Sequence, residues 1–343
     1  MSLPQTTKVL VKRGQGKAAI EELPLPKLRE GHVLVKTKAV SINPTDWKSL
    51  HSDNPKSIGL RLGCDFSGEV VALGPGVTNF KVGDRIAGIN PGANVLEPED
   101  GSYAEYLIAQ ADVQLHTPVS DEEAASLGVS VFTVLQLPSD PLATPIPILI
   151  YGGSTASGIL GIQFAKASGY KVITTSSPRN FDYLKSLGAD VVLDYKSPTV
   201  VDDIIAASDG ELTLAWDCIS EGDTPRICAG AFSDKGGKLG TLLGVDPATV
   251  HAINPNIDIA LTLAYSIFGQ PFDRLGGWQE GKPEDNEFAK EFRDLAEQLL
   301  REGKVKPSRI ELNRGGSGLE GILVGLEELR QNKVSAAKLI YTF

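Results

Sequence analysis

The chain has few of the residues that build disulfide frameworks or zinc sites, with three cysteines and four histidines among 343 residues. The cysteines Cys64, Cys218 and Cys228 are far apart or ten residues apart, which fits neither a disulfide framework nor a metal-binding cluster. Reduced thiols are typical of the cytosol, so this composition predicts a cytoplasmic protein.

The sequence also lacks long apolar stretches and an excess of positive charge. No run approaches the roughly 20 apolar residues of a transmembrane helix, and the first residues contain no apolar signal-peptide core. The formal net charge is −10, which argues against binding to nucleic acid or to an anionic membrane. The length allows two domains and a large core.

Residues 146–175 show the order strand, glycine-rich turn, helix, strand. The two strands and the helix between them are predicted at residues 146–151, 171–175 and 159–168. This order is typical of the first half of a Rossmann unit, in which the cofactor pyrophosphate binds at the helix N-terminus. The glycine pattern is degraded, because Thr155 and Ala156 follow Gly152 and Gly153 where further glycines are expected. An ordinary crossover with a tight turn is the alternative.

The second of these strands ends without the acid that an NAD site would supply. NAD-binding folds place Asp or Glu about 20 residues after the glycines, whereas NADP-binding folds use Arg and small polar groups for the 2′-phosphate. No acid occurs here before Asp182, and Ser177 and Arg179 offer a hydroxyl and a planar guanidinium. The sequence therefore predicts NADPH as the cofactor, with a solvated basic turn as the alternative.

The pattern of predicted secondary structure changes near residue 121, which predicts two domains. Residues 1 to about 120 alternate short apolar runs with Gly and Pro, which is typical of a small β-rich domain. From residue 121 to about residue 245, strands alternate with helices, which predicts an α/β fold with a doubly wound parallel sheet. Further strands are predicted at residues 33–40, 68–73, 85–88, 191–194, 212–218, 238–243 and 337–341, and helices at 286–303 and 319–332.

Five segments occur in the order shown by the medium-chain dehydrogenase/reductase superfamily, which the chain therefore resembles. They are residues 41–48 (SINPTDWK), 63–70 (GCDFSGEV), 82–88 (VGDRIAG), 101–106 (GSYAEY) and the Rossmann segment. Within the superfamily, YGGSTASG, SSPRNFDYLKSLGAD and DYK are similar to the fungal trans-acting enoyl reductases of polyketide synthases. The resemblance implies a GroES-like barrel domain at residues 1–121 and 272–343, which is the catalytic domain, and an NADP-binding Rossmann domain at residues 122–271.

Zinc-dependent members of the superfamily have ligands that this chain lacks. Pro44 and Thr45 lie in the first ligand motif, and Cys64 takes the place of the histidine in the second. Residues 89–100 contain no cysteine where a structural zinc lobe would have four. Because a tetrahedral site needs three or four ligands within reach, we expect no metal.

Without a metal, the remaining chemistry is hydride delivery from reduced nicotinamide to an activated double bond. An enone or an α,β-unsaturated thioester accepts hydride at its β-carbon because the charge moves to the carbonyl oxygen as an enolate. The resemblance implies that Thr45, Asp46 and Lys48 face the nicotinamide, as catalytic and cofactor-binding residues. Lys48 is the candidate for contact with the cofactor or the developing oxyanion; a surface lysine is the alternative.

The resemblance assigns further contacts to several segments. The implied cofactor contacts are Ser154, Thr155, Ala156, Ser157, Ser177, Pro178, Arg179, Asn180, Tyr195, Leu242, Leu243, Ser335 and Ala336. The implied acyl channel is lined by Gly128, Val129, Ser130, Val131, Phe132, Thr133, Val134, Leu135, Ser266, Ile267, Phe268, Gly269 and Gln270. Apolar and small side chains suit an acyl chain, although a core segment has the same composition.

Two classes of function remain open at this point. The first is an NADPH-dependent enoyl reductase that acts on an acyl thioester held by a carrier domain of a polyketide or hybrid synthase, with a free-standing quinone or enone reductase as its enzymatic neighbour. The second is a non-catalytic NADPH-binding protein. Turnover of NADPH with enoyl thioesters separates the two classes.

The oligomeric state is predicted from two prolines. Quinone-reductase relatives dimerise through the edge strands of their Rossmann sheets, and the edge here should follow the strand predicted at residues 238–243. Pro247 and Pro255 in that segment each remove a backbone donor, so no long regular edge strand should run through them. A monomer is expected; the alternative is that these prolines lie in a loop and another edge pairs.

Overall fold

The computed structural model describes residues 3–134, 144–274 and 277–343 and divides into two compact units. The first unit consists of Met1–Phe132, Ala264–Glu302 and Pro307–Phe343, and the second of Thr133–Leu263 and Gly303–Lys306. Over the ranges that the structure describes, no helix is long and apolar enough to cross a membrane.

The strands of the first unit are β1 (Thr6–Gly14), β2 (Lys17–Pro24), β3 (His32–Ser41), β4 (Asp65–Leu73), β5 (Arg85–Ile89), β6 (Tyr106–Gln110) and β7 (Leu115–His116). Those of the second unit are β8 (Pro147–Tyr151), β9 (Lys171–Ser176), β10 (Val191–Asp194), β11 (Leu214–Asp217), β12 (Gly237–Thr241) and β13 (Ile257–Leu261). The first unit is completed by β14 (Phe272–Arg274), β15 (Gly277–Gln279), β16 (Ile310–Leu312) and β17 (Lys338–Thr342).

The α-helices are α1 (Pro44–His51), α2 (Asp121–Ala124), α3 (Gly128–Thr133), α4 (Ala156–Ala167), α5 (Phe181–Ser186), α6 (Val200–Ala207), α7 (Thr224–Ala231), α8 (Pro247–His251), α9 (Pro283–Arg301) and α10 (Gly318–Arg330). Short 3₁₀ turns lie at Pro55–Ser57, Ala111–Val113, Pro178–Asn180 and Ala264–Phe268.

The first unit is built on a mostly antiparallel sheet with the strand order β16-β17-β3-β4-β5-β7, and β6 pairs with residues 32–36 of β3. Its core contains the fully buried side chains of Phe66, Tyr103 and Tyr341 together with aliphatic residues of the central strands. Burial of this apolar surface is the main favourable contribution to folding of the unit.

The second unit is a parallel sheet of six strands in the order β10-β9-β8-β11-β12-β13. This is the arrangement of two mononucleotide-binding halves, and its chain order reverses between β8 and β11. The predicted fold class, a Rossmann sheet with a β-rich GroES-like domain, is confirmed. Ligands of such sheets bind at the carboxyl ends of the strands, next to this reversal.

The first unit also takes in residues 122–132 and 264–271, which the sequence analysis placed with the Rossmann sheet. Two hydrogen bonds join the first of these stretches and the residue before it to the β-rich sheet. Ser67 Oγ donates to the carbonyl oxygen of Asp121 at 2.6 Å, and the amide of Val129 donates to Asp65 Oδ1, also at 2.6 Å. The predicted boundary at residue 121 rested on the pattern of secondary structure, which carries no information about these bonds.

The prediction about the edge of the parallel sheet is wrong. The edge is β13, which pairs with β12 at all five of its residues. Pro247 begins helix α8, where its missing N–H costs nothing, and Pro255 precedes β13 rather than interrupting it. The two prolines therefore leave the edge strand regular, and they give no reason to expect a monomer.

Candidate active site

Helix α1 carries the candidate catalytic residues of the first unit. Asn43 is its N-cap residue, Pro44 occupies its first turn, and the carboxylate of Asp46 accepts a hydrogen bond from the amide of Asn43 at 2.8 Å. Thr45 and Lys48 are three residues apart, which places them on one face of the helix. Asp46 is only 2% exposed, and its carboxylate forms part of the capping box of this helix. Its catalytic role stays a prediction.

A buried lysine holds the other end of α1. The ammonium of Lys12 donates to the carbonyl oxygens of Ser49 and Ser52 at 2.8 and 2.7 Å and to Ser57 Oγ at 2.8 Å. A cation at this end also complements the helix dipole. Burial lowers the pKa of Lys12, and the negative charge of Asp53 partly offsets that effect.

A hydroxyl pair links α1 to a segment more than 200 residues later. Thr45 Oγ1 and the hydroxyl of Tyr265 are 2.8 Å apart, and Cys64 Sγ lies 3.5 Å from the same hydroxyl. Tyr265 is 7% exposed and directly precedes the predicted channel residues 266–270. The sequence analysis did not predict Tyr265 as a site residue. The only signal for it in the sequence is that it directly precedes that segment.

Lys48 is half-buried, and its Nζ lies 5.7 Å from the centre of the Trp47 ring. This distance is within the range of a cation–π contact. Its contact with the cofactor or the developing oxyanion stays a prediction, with a surface lysine as the alternative.

In the second unit, the glycine-rich turn shows why the degraded motif still folds. Gly152 has a φ of 80°, which favours glycine, and a Cβ on Gly158 would lie 2.5 Å from the carbonyl oxygen of Gly152. Thr155 caps α4, because its hydroxyl accepts a hydrogen bond from the amide of Gly158 at 3.0 Å. Helix α4 therefore begins at Ala156, three residues before the predicted start.

The start of α4 fits a pyrophosphate. The hydroxyls of Ser154 and Ser157 make no hydrogen bond within the part of the chain that the structure describes. The first amides of an α-helix lack intrahelical acceptors and favour an anion. Together with these hydroxyls they provide donors for the phosphate oxygens of a dinucleotide.

The predicted 2′-phosphate residues follow the carboxyl end of β9. Arg179 is exposed and forms no ion pair among the residues with a described placement, whereas Asn180 is buried and donates to Ser176 Oγ at 3.3 Å. Ser176 is paired with Asp194 of β10, so Ser177 and Tyr195 follow neighbouring strand ends. Tyr195 is 40% exposed. The structure thus brings together the segment 177–180 and Tyr195.

A hydrogen-bonded loop positions Leu242. The carboxylate of Asp217 accepts the amides of Ile219 and Ser220, both at 2.9 Å, and Ser220 Oγ accepts the amide of Leu242 at 2.9 Å. Burial raises the pKa of Asp217, while the hydrogen bond from Thr224 opposes that shift. This loop lies at the carboxyl ends of β11 and β12, next to Leu242 and Leu243.

The C-terminal cofactor candidates precede β17 in the first unit. Ala336 is buried and has a φ of 53°, a conformation that costs energy for any residue other than glycine. Such strain is typical of functional segments, and the cofactor contacts of Ser335 and Ala336 stay predictions.

The predicted acyl-channel residues are divided between the two units. Gly128, Val129, Ser130, Val131 and Phe132 belong to the first unit, as do the residues of the 266–270 segment, where Asn286 Nδ2 donates to the carbonyl oxygen of Ile267 at 2.7 Å. Thr133 and Val134 belong to the second unit and line a cavity of about 350 Å³ with side chains of β8, β11 and β12. Leu135 lies outside the described residues.

The residues do not fit a zinc ion. Within the described ranges, no three His, Cys, Asp or Glu side chains lie close enough together to hold a metal. Cys64, which takes the place of a histidine ligand, is buried beside Tyr265. The expectation of a metal-independent enzyme stays a prediction.

Comparison with known proteins identifies the family. Residues 29–119 match the alcohol dehydrogenase GroES-like domain, and residues 156–257 match the family described as zinc-binding dehydrogenase. A trans-enoyl reductase of Aspergillus sclerotiorum is 38% identical, with 97% of this chain and 99% of the relative covered. A trans-enoyl reductase of Alternaria alternata is 40% identical, with 98% of each covered.

The chain belongs to the trans-enoyl reductase family of the medium-chain dehydrogenase/reductase superfamily. It is accordingly an oxidoreductase, and the resemblance inferred from its sequence is confirmed. A putative zinc-dependent alcohol dehydrogenase of Rhizobium etli shares the fold, with a TM-score of 0.81 at 22% identity over 99% of this chain and 98% of that one.

Proposed function

We propose that this trans-enoyl reductase uses NADPH to reduce an α,β-unsaturated acyl thioester that a polyketide synthase carrier domain presents in trans. The observation that carries the proposal is the full-length similarity to trans-enoyl reductases. The hydrogen-bonded group of Thr45 and Tyr265 and the cation-bearing turn at Arg179 support it. We also propose that the protein acts in the cytoplasm.

Bound NADPH would supply a hydride to the β-carbon of the thioester, and the resulting enolate would take up a proton at its α-carbon to give the saturated thioester. The residues of the second unit would hold the dinucleotide: Ser154 and Ser157 its pyrophosphate, and Ser177 and Arg179 its 2′-phosphate. Thr45 and Lys48 would orient the nicotinamide and stabilise the negative charge that develops on the thioester oxygen. The hydroxyl of Tyr265 would keep Thr45 in its rotamer, because the two oxygens are within hydrogen-bond distance.

Oxidation of NADPH in the presence of crotonyl and longer enoyl thioesters, attached to a carrier domain or to pantetheine, tests this function. We expect consumption of NADPH with a saturated thioester as the product. NADPH binding without turnover of any thioester, enone or quinone would instead indicate the non-catalytic class. Turnover of quinones alone would indicate a quinone reductase.

Exhaustive chelation is expected to leave the activity unchanged, because the described residues offer no set of three metal ligands. The measurement compares kcat before and after dialysis against a strong chelator, with elemental analysis of the same sample. Stoichiometric zinc whose removal abolishes turnover would contradict the expectation.

We further propose that the protein is a monomer, now on the basis of the edge strand itself. Strand β13 is only five residues long, and the side chain of Asp258 on it is exposed. Short length and charge both discourage pairing between edge strands. Light scattering at micromolar concentration should give a mass near 36.5 kDa, whereas twice that mass would show a dimer.

A further inference from the structure

A buried ion pair connects three segments of the first unit to which the sequence analysis assigned cofactor or substrate contacts. Lys338 Nζ and Asp65 Oδ2 are 2.6 Å apart, and the two side chains are 3% and 0% exposed. Neither residue was among the predicted site residues. Because both are enclosed by protein, neither touches a ligand, and any effect on the reaction must pass through their neighbours.

The first connection leads to α1, which bears Thr45 and Lys48. Lys338 Nζ donates to Asn43 Oδ1 at 2.5 Å, and Asn43 is the N-cap residue of this helix. Ser41 Oγ, two residues earlier, donates to Asp65 Oδ2 at 2.7 Å. A helix of eight residues is not stable alone, so these bonds help to fix where it begins.

The second connection leads to α3, which carries the implied channel residues. The amide of Val129 donates to Asp65 Oδ1 at 2.6 Å, so the second carboxylate oxygen holds the first turn of this helix. A Cβ on Gly128 would lie 2.5 Å from the same oxygen, which shows how closely the backbone of α3 approaches Asp65. The third connection is covalent, because Lys338 follows Ser335 and Ala336 by two to three residues.

A buried ion pair is an expensive way to obtain stability, since apolar side chains of similar volume are often as stable. Hydrogen bonds are directional, however, and apolar packing is much less so. Four bonds with defined directions meet at this pair: Lys338 to Asp65, Lys338 to Asn43, Ser41 to Asp65, and Val129 to Asp65. They fix the relative orientation of α1, α3 and the segment before β17.

We propose that Asp65 and Lys338 are positioning residues, whose ion pair holds α1, the start of α3 and residues 335–336 in the one arrangement that NADPH binding and hydride transfer require. The inference rests on the proposed function for the roles of these segments. Displacement of a reacting group by about 1 Å costs on the order of 100-fold in rate, so loss of the pair should reduce activity more than stability alone explains.

The test uses the variants Asp65→Asn, Lys338→Met and the double variant Asp65→Asn/Lys338→Met, with Lys338→Arg as the conservative replacement. Each single variant leaves one buried partner without its counterpart and should lower Tm. The double variant leaves no unpaired charge at this position and should regain most of the lost Tm. Its Kd for NADPH should nevertheless rise about tenfold or more, and its kcat/KM should fall by at least as much, while Lys338→Arg retains most of both.

Asp100→Asn is the matched control. Asp100 forms a largely buried ion pair with Arg29 in the same unit and accepts a hydrogen bond from Asn94, but it touches none of the three segments. This variant should lose Tm while keeping its Kd for NADPH and its kcat/KM within about twofold of the wild type, as expected of a change that breaks a buried ion pair without touching the three segments.

Recovery of NADPH affinity and kcat/KM together with Tm in the double variant would overturn the inference, as would an equal loss of both quantities in Asp100→Asn. If the single variants do not fold, the NADPH affinity, kcat/KM and Tm of the double variant still test the inference. NADPH affinity is measured by quenching of tryptophan fluorescence without substrate. A wild-type protein that binds NADPH but reduces no enoyl thioester would therefore refute the proposed function and leave the effect of the ion pair measurable.

Discussion

Replacement of Lys48 by methionine is expected to lower kcat for an enoyl thioester by about 10²–10³-fold, because a donor to the developing oxyanion contributes about 3–4 kcal/mol to transition-state stabilisation. Lys48 shares a face of α1 with Thr45, and it is half-buried beside Trp47. Methionine preserves the length and the apolar part of the side chain and removes the charge and its donors. Steady-state kinetics with saturating NADPH give the measurement.

Lys56→Met is the matched control, because Lys56 is exposed in the 3₁₀ turn that follows α1. Its kcat should equal that of the wild type. A Lys48→Met variant with unchanged kcat but a raised Kd for NADPH would show that Lys48 serves the cofactor rather than the oxyanion. Unchanged kcat and unchanged Kd would exclude both roles.

Replacement of Arg179 by alanine should weaken NADPH binding by about 1.5–3 kcal/mol, which is the contribution of a hydrogen bond to a charged group. This corresponds to a rise in Kd of roughly 10- to 150-fold, since 1.4 kcal/mol is a factor of ten. The guanidinium is exposed and has no carboxylate partner in the described part of the chain, so its donors are available to a phosphate. Binding of NADH should change little.

Lys185→Ala provides the comparison for Arg179, since Lys185 is an exposed cation on the neighbouring helix α5. It should leave the Kd values of both cofactors unchanged. Equal weakening of NADPH and NADH by Arg179→Ala would mean that Arg179 does not bind the 2′-phosphate. Equal weakening of NADPH by both variants would indicate a general effect of surface charge.

The sequence alone determined five of the six strands of the parallel sheet, because these strands are short apolar runs separated by glycine and helical segments. The strand predicted at residues 191–194 has those bounds in the structure, and the prediction for residues 171–175 is short by one residue. The sequence also indicated the family, because the family's motifs are short continuous segments that occur in a fixed order along the chain. Strands and motifs of this kind depend on residues that are close together in the sequence, so they can be predicted from the sequence.

The tertiary structure decided the features that depend on side chains far apart in the chain. Strand β13 was missed because prolines near a strand indicate a break, and only the structure shows that the pairing with β12 begins after them. The contact of Thr45 with Tyr265 and the pair of Asp65 with Lys338 join residues separated by 220 and 273 positions. No periodicity relates such positions, because their proximity results from packing of the whole unit rather than from local conformation.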